Sequence, residues 1–98
     1  MPNRMEMLRE IIGECRDERE VEATRLDNYR VERAKLELSR EILLEHGEVK
    51  EAEQLKPRIH DLDHKIQAAE QNLARLDRLV EVYQTSLNKL EEASGHTA

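Results

Sequence analysis

Aromatic and turn-forming residues are scarce in this chain of 98 residues, which has no Trp, no Phe, only Tyr29 and Tyr83, three Gly, two Pro and one Cys. A core built on large rings, or a sheet laced with tight turns, has no material here. Chain length supplies at most one domain of ordinary size, which excludes a multi-domain enzyme.

Long apolar runs are missing too. The longest are Ile42-Leu43-Leu44 and Leu79-Val80, against the roughly 18 consecutive apolar residues of a membrane-spanning helix. No membrane partner is expected. The opening Met1-Pro2-Asn3-Arg4-Met5-Glu6 carries one basic residue and then alternating charge, unlike a secretory signal or an acid-poor transit peptide, so a cytoplasmic location is expected. Cys15 is alone, which forbids an internal disulfide and suits a reducing compartment. It reads as a small apolar seam residue.

Charge is abundant, at 39% of residues with a net value of −6, but it is mixed along the whole length. Residues 1–46 hold nine Lys/Arg against twelve Asp/Glu, and residues 47–98 hold seven against ten. Interleaved acids and the lack of stacking rings argue against a nucleic-acid partner. The sequence has no phosphate-binding or dinucleotide-binding Gly pattern, no G-x-S-x-G, no paired Cys motif and no buried-looking acid pair. Neither an enzyme nor a cofactor is expected.

What is there is heptad spacing. Leu55, Ile59, Leu62, Ile66, Ala69, Leu73, Leu76, Val80, Tyr83, Leu87 and Leu90 follow one another at alternating intervals of four and three, the seam of a coiled-coil helix. Upstream, Asn3 followed by Glu6 makes a capping pair. Met5, Leu8, Ile12, Cys15, Leu26 and Tyr29 then share a stripe. His46-Gly47 stands where a C-cap belongs, and the acids after it suit the start of a new helix. The expectation is all-α: a long antiparallel two-helix hairpin forming a single unit over 1–93. Its first helix spans about 4–45, its turn about 46–47 and its second helix about 48–93, with a kink near Pro57 and a flexible tail at 94–98.

A hairpin folded symmetrically about residues 46–47 sets Leu73, Leu76 and Leu79 opposite residues 14–20, which are charged apart from Cys15. Something else is then expected to cover those leucines. Tyr29, Leu36 and Leu43 recur every seven residues, while Val31, Ala34, Leu38 and Ile42 form a second stripe. One partner helix cannot bury both. Leu73, Leu76, Leu79, Val80, Tyr29, Leu36, Leu43, Val31, Leu38 and Ile42 are therefore the expected interface. The partner is protein: a second copy closing a four-helix bundle, or a larger assembly.

Two further clusters carry candidate chemistry. His60 and His64 stand one helical turn apart beside Asp61 and Asp63, a spacing able to chelate a divalent ion. The register turns them outward, with no third ligand fixed nearby, so a solvated face without metal is the expectation. The tip, Glu45-His46-Gly47-Glu48-Val49-Lys50-Glu51-Ala52-Glu53, gathers acids around Gly47, which suits compensation of a helix dipole. Over residues 45–51 it resembles the hairpin tip of Gre-type transcript-cleavage factors, which reads Glu-His-Gly-Asp-Leu-Lys-Glu. The resemblance implies a hairpin inserted into the secondary channel of RNA polymerase, with Glu48 and Glu51 in the places of the acids that hold a catalytic magnesium. Glu48 stands where the family has Asp, the Asn after the second acid is missing, and the family's globular domain is not among these 98 residues.

Overall fold

The computed structural model describes residues 3–95. They form two helices, α1 (Arg4–Glu45) and α2 (Val49–Gly95), joined as an antiparallel coiled-coil hairpin with no strand among the described residues. The start of α1 follows from local chemistry, since Asn3 Oδ1 accepts a 2.8 Å hydrogen bond from the Glu6 N–H, satisfying a donor that has no partner within the first turn. Its end is set by Gly47, at φ 77°. There the Glu48 N–H reaches back to the Leu43 carbonyl at 2.8 Å and the Gly47 N–H to the Leu44 carbonyl at 3.1 Å. Those are the two bonds of a Schellman motif, which needs a left-handed residue where Gly47 sits. The chain re-enters helix at once, with the Ala52 N–H donating to the Glu48 carbonyl at 3.0 Å.

α2 runs unbroken through Pro57 and on through Ser94 to Gly95, past the end expected at 93. The rest of the expected tail, 96–98, lies outside the described residues.

The hairpin resolves into two compact units. One comprises residues 1–22 and 72–98 and buries Ile12, Leu76 and Leu87; the other, 23–71, contains the turn and buries Leu26, Leu36, Ala52, Leu62 and Ala69. Every expected seam residue of α2 from Leu55 to Leu90 is buried or half-buried.

α1 has a seam as regular as that of α2, but much of it is written in charged residues. Met5, Leu8, Ile12, Cys15, Arg19, Glu22, Leu26, Tyr29, Arg33, Leu36, Arg40 and Leu43 keep the three-four spacing without a break, and all except Arg19 are buried or half-buried. Arginine suits such positions because its three methylenes pack against apolar neighbours while the guanidinium reaches the rim.

Candidate functional site

Within the unit that holds both chain ends, Arg9 Nη2 meets Glu91 at 3.3 Å, Arg19 pairs with Asp77, and Asn72 donates to Glu22 Oε2 at 2.8 Å. In the unit that holds the turn, Arg30 meets Glu70 at 3.2 Å, Arg33 pairs with Asp63, and Arg40 approaches Glu53 at 3.9 Å. These cross-helix ion pairs share a polarity, with the cation an arginine of α1 and the anion a carboxylate of α2. Arg19 and Arg33 each reach about one turn further along α2 than the symmetric fold-back implies.

That register and the arginine stems correct the expectation for Leu76. It is fully buried inside the chain, flanked by Asn72 and Asp77, to which Glu22 and Arg19 are tied. Residues 19–22 therefore lie across it and do the covering that residues 14–20 were expected to fail at. Leu73, Leu79 and Val80 are half-buried, as are Tyr29 and Leu43, and Leu36 is buried. These six, with Leu76, belong largely to the hairpin's own interior and are not the open surface expected of them. Continuing the three-four spacing from Cys15 through Arg19 and Glu22 to Leu26 is the sequence signal that exposes this seam.

The second stripe remains outside. Val31, Leu38 and Ile42 are 54%, 57% and 46% exposed, and Ala34 between them is exposed as well. At about 100° per residue this stripe lies on the face of α1 directly opposite Tyr29, Leu36 and Arg40. The C-terminal half of α1 is thus apolar on two opposite sides, of which α2 covers one.

At the tip, Glu45, Gly47, Glu48 and Glu51 are all exposed, and the three acids stand outside the ion pairs of the described residues. A groove of about 620 Å³ runs between the helices nearer the turn, lined by Glu37, Arg40, Lys56, Pro57, His60 and Asp63. Arg40 contributes to it a buried Nε without a hydrogen-bond partner among the described residues. Pro57 supplies no N–H to the turn preceding it, and there Glu53 instead binds Lys56 at 3.0 Å.

His60 and His64 are exposed. Their Nε2 atoms are 3.1 Å apart, and the rings meet edge to face at a centroid distance of 4.5 Å. Asp63 between them turns to Arg33, whose hydrogen bond holds the carboxyl below its ordinary range, aided by the charge of Arg33 and more weakly by both imidazoles. On the other flank Asp61 binds Lys65 at 3.1 Å and raises its ammonium above the ordinary value, and the same Nζ lies 5.9 Å from the centre of the Tyr29 ring. No group of three or more metal-ligating side chains occurs among the described residues.

No helix among the described residues is long and apolar enough to cross a membrane. Comparison with known proteins finds no matching family model, no matching curated protein and no matching solved structure.

Proposed function

We propose that this chain is a non-enzymatic protein–protein interaction module that docks helix on helix through the outer stripe of α1. The observation that carries the reading is the exposure of Val31, Ala34, Leu38 and Ile42 along one line of a helix whose opposite line is already buried. Isolated exposed aliphatics are ordinary on any surface. Four in succession at helical spacing make a contiguous apolar patch, the usual mark of a docking surface. The proposed occupant is the same stripe of a second copy, because a two-fold axis lets one patch cover itself and close two hairpins into a four-helix bundle.

Sedimentation at micromolar concentration tests this. The wild type is expected to run as a dimer, and Leu38→Glu as a monomer of unchanged helicity, because Leu38 takes no part in the buried seam. A wild type that stays monomeric, or a Leu38→Glu variant that still dimerises, removes the proposed occupant.

A second reading, in which the acidic tip inserts into a large enzyme such as RNA polymerase, is favoured by the exposure of Glu45, Glu48 and Glu51 around Gly47. Replacing Glu48 and Glu51 together by Gln separates the two readings. Dimerisation should be untouched, while any tip-dependent effect on such an enzyme disappears.

A further inference from the structure

We propose that His60 and His64 form a chelating site for a late first-row divalent cation, of the Cu2+, Ni2+ or Zn2+ class, on the exposed face of α2. The two rings bring their Nε2 atoms to 3.1 Å of each other. For metal–nitrogen bonds of about 2.05 Å, that separation corresponds to an N–metal–N angle of about 98°. The value falls between the right angle of octahedral or tetragonal coordination and the tetrahedral angle, so one cation fits between nitrogens at this separation.

The backbone is equally ready. α2 is continuous through residues 60–64, and a spacing of four residues stacks both imidazoles over one turn. Without a metal, the rings satisfy this closeness by one N–H donating to the other nitrogen. A cation takes the place of that hydrogen once the donating ring carries its proton on Nδ1 instead of Nε2, the neutral tautomer in which both Nε2 atoms present lone pairs. Imidazole nitrogen suits copper, nickel and zinc, whereas magnesium and calcium select oxygen.

Two features define the kind of site this is. No third protein ligand completes it among the described residues, so the remaining positions belong to water or to a donor from outside the chain. Asp63 is committed to Arg33 and serves as a nearby negative charge, not as a ligand. The site is therefore open and exchangeable. Its structural effect is a clamp across the helical turn from residue 60 to residue 64, downstream of Pro57 in the same helix.

Calorimetric titration of the full chain with NiCl2, paired with thermal melts, tests the proposal. The wild type is expected to bind one equivalent and to melt at a higher temperature with Ni2+ present. His60→Ala and His64→Ala should each weaken binding roughly tenfold or more, because chelation makes engagement of the second ligand intramolecular. His46→Ala, at the exposed tip, should bind as the wild type does. All three variants alter exposed side chains, and metal-free melts identify any that fold differently. A wild type that takes up no Ni2+, or uptake unchanged in both His60→Ala and His64→Ala, overturns the site.

Discussion

Arg33 of α1 grips Asp63 of α2 with two donors, Nε to one carboxylate oxygen and Nη2 to the other at 3.5 Å, while its Nη1 holds Glu37 at 3.0 Å. This fork ties one turn of α1 to one turn of α2 and fixes their register where both side chains are half in water. The fork stabilises the ionised form of Asp63 in the folded state. A carboxyl held below its unfolded value, near 4, contributes stability that is fully present above that value and is lost as the pH falls through the lower folded value. Asp63→Asn is therefore expected to be less stable than wild type at neutral pH and to lose less on acidification from about pH 5 to 2. Melting curves followed by circular dichroism across that range decide the matter, and parallel pH profiles would contradict the role given to the pair.

Leu76 and Val82 provide an internal contrast on one helix, the first fully buried and the second 57% exposed. Leu76→Ala should cost about 2–5 kcal/mol, the range for a truncated core leucine that leaves a cavity. Val82→Ala should stay within about 0.5 kcal/mol of wild type. Urea unfolding measures both, and a small effect at Leu76 would mean that α1 does not cover it.

Gly47 holds the turn at φ 77° with open space where a Cβ would stand, so substitution there meets a backbone penalty and no clash. Gly47→Ala is expected to lower stability by about 1 kcal/mol, and Gly47→Asn by less, since Asn tolerates the left-handed region. Equal losses for the two would point to something other than φ.

Pro57 sits inside α2, where it removes a donor and crowds the preceding turn. Pro57→Ala should restore the bond to the Glu53 carbonyl and raise stability by about 1–3 kcal/mol, less a few tenths for the more flexible unfolded chain. Hydrogen exchange of the residue 57 amide, which only the variant possesses, reports directly whether that bond forms.

The two-helix hairpin is legible from the sequence because α2 places an apolar residue at each seam position from Leu55 to Leu90, and because Asn3 and Gly47 carry their capping chemistry in a side chain or the lack of one. The α1 seam is not legible by hydrophobicity. Arg19, Glu22, Arg33 and Arg40 occupy seam positions, the last three half-buried, and a scale that scores the charged head ignores the methylenes that pack. The same blindness, with a register shifted from the symmetric fold-back, hides the cover that residues 19–22 give Leu76. The outer stripe of Val31, Ala34, Leu38 and Ile42 is visible in the sequence as a second apolar line, but which of the two lines α2 takes depends on the arginine seam. For His60 and His64, spacing places the rings on one face, while the closeness of their Nε2 atoms is a matter of rotamers.

The shared polarity of the cross-helix ion pairs has a consequence for the two halves as separate molecules. Two strands of the α1 sequence laid together would face arginine with arginine, and two of α2 would face acid with acid, while one of each satisfies both. Cut at His46-Gly47, the chain would give two peptides whose seam charges, arginine on one and carboxylate on the other, complement each other across the pair.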